Sequence, residues 1–275
     1  MDRLLNQRQR ALLLSAFAAL ALLAVTVAGL LLFDAAMVTD FSRKNLAPCL
    51  AYPFGTDWMG RDMLARTPPA LPLTAGGGRV GGGGGGGEAR AAGTPAATLG
   101  RRVDAVLSWC IDLVMGIPHI LLVMLISLAF GKGFVGVVAG VSLSHWTSLA
   151  RLLRGEVLQL RGAPYVLTAE KLGRTKLQVA RDHLLPHLLP QFLTGLILLF
   201  PHAILHEASV TFLGFGLSSE QPAIGVILSE SMSYLTTGKW WLAFFPGLAL
   251  VATVALFALL GDRLRRILDP ATIHQ

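Results

Sequence analysis

Ala11–Phe33 reads ALLLSAFAALALLAVTVAGLLLF, 23 residues without a charge. A helix needs about 20 apolar residues to cross the hydrocarbon core of a bilayer, and this run supplies them. Arg3, Arg8 and Arg10 precede it. A cleaved signal peptide has a shorter apolar core of about 7–15 residues, so a retained span with a cytoplasmic N-terminus is expected. Working outward, further spans are predicted over Leu113–Phe130, Gly133–Ala150, Leu188–His206 and Trp240–Leu260. Composition agrees. Of 275 residues, 53% are hydrophobic and 14% charged, against about 25% charged in ordinary soluble domains. A disordered chain, a secreted disulfide scaffold and a typical cytosolic enzyme are excluded. Cys49 and Cys110 form no CxxC motif. The net charge of +7 fits basic cytoplasmic loops better than a nucleic-acid surface, and no nucleic-acid partner is expected.

Charge placement orients the spans. The segment 151–187 carries seven Lys/Arg (Arg151, Arg154, Arg161, Lys171, Arg174, Lys176, Arg181) against three acids. Arg263, Arg265 and Arg266 follow the last span, and Arg101 and Arg102 precede the Leu113 span. All belong in the cytoplasm by the positive-inside rule. Counting crossings back from the C-terminus leaves one inward passage missing between Asp34 and Gly100.

That gap contains 68–98, with eleven glycines, four prolines and three charges (Arg79, Glu88, Arg90). Glycine costs about 1 kcal/mol and proline about 3 kcal/mol relative to alanine in a helix. A charge near the bilayer centre adds about 2.5–3.5 kcal/mol. Such a segment reads either as a flexible linker or as a second span lost to a compensated reading-frame slip in GC-rich DNA, where Ala, Gly and Arg codons interconvert. The second reading is preferred, and resequencing the gene tests it. Gly81–Gly87 is no phosphate-binding loop, because no Gly-Lys-Ser/Thr follows. The chain is expected to bind no nucleotide and no other cofactor. Three regions result: 1–67 (cytoplasmic tail, first span and external loop), 68–98, and a core over 99–275.

Tyr52–Thr67, YPFGTDWMGRDMLART, resembles the external segment of permease subunits of the dipeptide, oligopeptide and nickel ABC importers. The likeness rests on Gly55-Thr56-Asp57 followed by Gly60-Arg61-Asp62. Three further stretches are similar to that family: Glu207-Ala208-Ser209 with Phe212–Gly216, Pro246–Ala249, and Leu260–Arg266 with Leu268-Asp269-Pro270. The resemblance implies an all-α polytopic transmembrane bundle of six spans, with the second where the glycines lie. It also implies a second permease subunit, two cytoplasmic ATP-hydrolysing subunits, an external solute-binding protein, and residence in the lipid bilayer of a prokaryotic cell membrane. The cargo it implies is a peptide first, and nickel or a metal chelate second.

In 151–187 apolar residues recur at mixed three- and four-residue spacing, which predicts short amphipathic helices. Gly162 and Pro164 break the pattern and Gly173 interrupts its second part. The family carries Glu-Ala-Ala, then Gly after three residues, then Ile and Leu-Pro. Gly173, Leu185 and Pro186 hold that spacing here. The triplet reads Leu167-Thr168-Ala169, so only Ala169 fits. Glu170 stands one place late and His183 replaces Ile. The resemblance makes this the coupling element that inserts into a cleft of the ATPase, with Ala169, Glu170, Gly173, Leu185 and Pro186 as its contact residues.

His119 and His145 lie within spans, where ionisable side chains favour a bundle interior or a pathway, and they are expected to line one. His202 and His206 share a helical face. They read more readily as polar residues near an outer helix end than as metal ligands, so no metal site is expected. No nucleophile, base and orienting acid form a set, so no catalytic residues and no enzymatic activity are expected. The rival classes are an ion-coupled secondary transporter, disfavoured because the predicted spans hold no acid, a membrane enzyme, and a frame-disrupted product.

Overall fold

A computed structural model describes residues 7–72, 74–75, 101–218 and 221–268. Among these the secondary structure is helical, with an isolated antiparallel bridge between Thr56 and Asp62. Helix α1 spans Gln7–Leu31 and α2 Phe33–Met37. Residues 63–72 and 74–75 form α3. Then come α4 (Arg101–Met115), α5 (His119–Ala129), α6 (Gly133–Arg161), α7 (Pro164–Lys171) and α8 (Lys176–Val179). A π-helical turn over Ala180–Leu184 leads into α9 (Leu185–Phe212), followed by α10 (Ile224–Leu235) and α11 (Trp241–Leu268).

Four helical runs are long and apolar enough to cross a membrane: Gln9–Leu31, Gly133–Arg161, Lys176–Phe212 and Trp241–Arg266. The predicted span Leu113–Phe130 is instead broken. Helices α4 and α5 meet at 92°, because Pro118 has no N–H to donate and Gly116 offers little helical preference. If the bent pair counts as one span, the described residues supply five.

The helix α3 crosses the boundary expected at Pro68. Its residues 68–72 and 74–75 include no glycine and no charge. Tertiary burial outweighs the helix-breaking cost of the prolines: Met63, Ala70, Leu71 and Ala75 are buried with Ile204, Ile224, Ile227, Leu242 and Phe257. Pro72 cannot donate to the Pro68 carbonyl, and that carbonyl lies against Gly29 of α1. The rest of the unusual segment, 76–98, lies outside the described residues.

A second cluster unites α6, α7, the π-helical turn and α9 through Leu153, Val157, Val166, Leu184 and Leu188. A third joins α5, α6 and α9 through Val123, Val137, Val141, Ala203 and Val210. Between α5 and α6 the approach is close. A Cβ at Gly136 would lie 2.6 Å from the Ser127 carbonyl oxygen, and one at Gly140 would lie 2.7 Å from that of Val123. Small residues four apart are a common way for membrane helices to meet. Gly140→Val should therefore cost about 1–3 kcal/mol through overpacking. Thermal unfolding of the purified chain in detergent reads this, and an unchanged midpoint would contradict the packing.

The contacts also join stretches that charge placement assigns to the same side. Gly133 donates its N–H to the Gly216 carbonyl, joining two turns assigned to the outside. Arg154 donates from Nε to Asp104 Oδ1 at 2.5 Å and from Nη2 to Oδ2 at 2.9 Å, joining two stretches assigned to the inside. Large apolar side chains of α1, among them Phe17, Leu20, Leu23 and Leu30, remain exposed, as a lipid-facing helix requires.

Candidate functional site

The basic segment after α6 is a chain of short helices held by local chemistry. Gly162 ends α6, and Pro164 opens α7 at a first-turn position where its missing N–H costs nothing. Thr175 caps α8 in a reciprocal capping box with Gln178. The Leu185 N–H reaches the Ala180 carbonyl, and this wider turn carries the chain into Pro186 in the first turn of α9. Gly173, with φ +85°, makes the turn between α7 and α8. Ala169 is buried, Leu185 half-buried, and Glu170 and Pro186 exposed. Residues 171–178 are all exposed, including Leu172 at 80% and Leu177 at 79%. Two aliphatic side chains so bare on a basic segment form a surface that folding of this chain leaves uncovered.

The Gly-Thr-Asp and Gly-Arg-Asp stretch folds into one buried loop. Asp57 Oδ1 accepts from the backbone N–H groups of Met59 and Arg61 at 2.8 and 2.9 Å. Its Oδ2 accepts from Arg61 Nε at 2.6 Å and Arg66 Nη1 at 2.9 Å. Glu230 of α10 completes the set, 2.9 Å from Arg66 and 3.5 Å from Arg61. Thr56 Oγ1 accepts from the Leu46 N–H at 2.8 Å, and Gly55 packs against Trp241. Gly60, at φ +77°, faces the Asp40 carbonyl so closely that a Cβ would lie 1.8 Å from its oxygen. Asp62 accepts from the Leu64 N–H at 2.9 Å and so caps α3. Arg66 and Glu230 were not singled out from sequence. Arg66 lay inside the quoted stretch, whereas nothing local marks Glu230.

His119, His145 and His206 come together from α5, α6 and α9. Their ring centroids are 4.4–5.1 Å apart. They line one cavity of about 620 Å³, with His202, Met115 and Pro118 also in its wall. His202 and His206 share a helical face and line the same cavity, and the His206 ring also meets the other two histidines. A span expected to be free of acids holds one. Helix α9 runs past the predicted end at His206, because no breaker follows until Gly214, and so takes in Glu207. That side chain is 1% exposed, and Thr211 donates to its Oε1 at 2.9 Å.

A family model described as "Binding-protein-dependent transport system inner membrane component" matches residues 90–274. The chain belongs to that family. The nickel transport system permease protein NikC of Escherichia coli K12 is 32% identical over 94% of this chain and 92% of its own length. The dipeptide transport system permease protein DppC of Bacillus subtilis 168 is 29% identical over 84% of this chain and 72% of its own. The oligopeptide transport system permease protein OppC of the same strain is 30% identical, over 84% and 77%. The chain is thus an all-α, multi-pass inner-membrane permease component of an ATP-driven ABC importer. Membership decides between this role and an ion-coupled carrier, which Glu207 would otherwise have reopened. The family is one of transport permeases rather than of enzymes.

Proposed function

We propose that this permease pairs with a second, related permease to form the pathway, and receives its cargo from an external solute-binding protein. Two cytoplasmic ATPase subunits drive it by docking on the α7–α8 turn of each permease. The observation that carries the docking is the bare run 171–178, with Leu172 and Leu177 uncovered among Lys171, Arg174 and Lys176. A helix–turn–helix that exposes leucines suits insertion into a partner's groove. Closure of the ATPases on ATP then shifts the permeases between two states, since the docked turn is held differently in each. Ala169, buried in the cluster beneath, anchors α7. Glu170, Leu185 and Pro186 border the docking face.

The cargo belongs to the classes named for its relatives, small peptides or nickel. The three-histidine wall of the cavity favours the metal, because imidazole is a good ligand for borderline divalent ions and offers nothing particular to a peptide backbone. The cavity wall formed by His119 and His145 is on this reading part of the pathway.

ATP-dependent uptake into membrane vesicles bearing the assembled importer tests the function. Topology is tested in cells with a membrane-impermeant thiol reagent. The exposed Cys49 should be labelled from outside. A cysteine placed at Lys176 should be labelled only after the membrane is opened. Labelling of position 176 in intact cells would invert the topology and end the coupling reading.

A further inference from the structure

We infer that His119, His145 and His206 form a binding site for a divalent transition-metal ion within the membrane. The inference rests on the cavity being part of the pathway, and it names what that pathway holds. One potential ligand atom from each histidine lies within 4.8 Å of the others. Two of the three rings are already set for coordination. Nδ1 of His145 is 3.0 Å from the Val141 carbonyl oxygen, and Nδ1 of His206 is 2.7 Å from that of His202. A carbonyl oxygen can only accept, so each Nδ1 carries the proton and each Nε2 keeps its lone pair. A histidine ligand is characteristically oriented in this way by a carbonyl behind it.

The third ring, His119, has Nε2 3.5 Å from Ser144 Oγ, and that hydroxyl also lies 3.2 Å from the Val141 carbonyl and 3.3 Å from His145 Nδ1. Three imidazoles whose ligand atoms lie this close can share one cation. His145 lies about 18 Å along α6 from Gly133 at the helix rise of 1.5 Å per residue, which puts the site well inside the bilayer. There an ionisable cluster needs a partner or a pathway. Three nitrogen ligands and an open cavity side suit nickel, zinc or copper rather than magnesium or calcium, which take oxygen. The open side also lets an ion leave, which a closed four-ligand site would resist. His202 and Met115 in the same wall offer further nitrogen and sulfur donors along the cavity.

The test uses the full-length chain without a polyhistidine tag, in lipid nanodiscs, with nickel chloride as the probe. Equilibrium dialysis should find one equivalent of nickel per chain. His119→Gln, His145→Gln and His206→Gln should each weaken binding by more than about tenfold, the scale on which even the outer partners of metal ligands act. His187→Gln should leave it unchanged. X-ray absorption at the nickel edge supplies a readout on the unaltered protein, where imidazole scattering is expected. No stoichiometric uptake by the wild-type chain, binding that survives all three substitutions, or a coordination shell of oxygen alone would overturn the site. If nickel binds as described while ATP-driven nickel uptake by the assembled importer is indifferent to His119→Gln, the site stands and the pathway reading fails.

Discussion

Gly173→Trp is expected to abolish ATP-driven uptake while leaving the membrane bundle folded. Gly173 turns the chain between α7 and α8 at φ +85°, a conformation that costs an ordinary L-residue about 1–2 kcal/mol. Space is not the obstacle, because nothing lies within 4 Å of a Cβ built there. The chain itself therefore accommodates a large side chain at the cost of turn strain. What an indole would fill is the space in front of the exposed run 171–178, where the ATPase is proposed to sit. Strain and obstruction can be separated. Asparagine tolerates the left-handed region better than other side chains, so Gly173→Asn should keep most of the uptake. Gly173→Trp should lose it by more than tenfold, roughly the effect of 1.4 kcal/mol or more at the docking contact. Co-purification of the ATPase subunits with each variant is the direct measurement. A tryptophan variant that retains its ATPase and transports at the normal rate would remove the coupling role from this turn.

The spans were legible because a bilayer enforces a simple rule: long apolar runs with basic residues at one end. Their ends were less legible. Helix α9 was cut at His206, where polar residues begin, but Glu207 is buried beside Thr211 and the helix continues to Phe212. Proline misled at 68, where packing against α1 and α10 carries α3 onward, and was underweighted at 118, where the predicted span bends by 92°. Helix α10 was not foreseen, since ILSESMSYL mixes serines and an acid into a run too short to span. The breaks between α6, α7 and α8 could be read from Gly162, Pro164 and Gly173, whereas the coupling role assigned to them came from the resemblance. The histidine cluster could not be read. Its members come from three helices far apart in sequence, and only the rotation of α5, α6 and α9 about their axes, set by contacts such as Gly140 on Val123, aims the rings at one another.

Asp57→Ala is expected to destabilise the folded chain by about 3–5 kcal/mol, the range for removing one partner from a buried ion pair. Asp57, Arg61, Arg66 and Glu230 balance two negative charges against two positive ones, and the side chains of Asp57 and Arg66 are each 3% exposed. Removing the aspartate leaves two guanidinium groups facing a single carboxylate. It also strips the Met59 and Arg61 N–H groups of their acceptor. Asp62→Ala in the same stretch provides the contrast. Asp62 caps α3 at the surface, and losing an N-cap costs about 1 kcal/mol. Two aspartates five residues apart in one signature should thus differ severalfold when compared by denaturant unfolding in micelles. A double substitution, Asp57→Ala with Arg66→Ala, should recover part of the loss, because it removes one charge of each sign. Equal effects at 57 and 62 would mean that the loop is held by its turns alone. A large effect at 57, with partial recovery in the double variant, would mean that this ion network fastens the entry of α3 to α10. The stretch that resembles the family most closely would then be a fastening of the bundle rather than a surface for cargo.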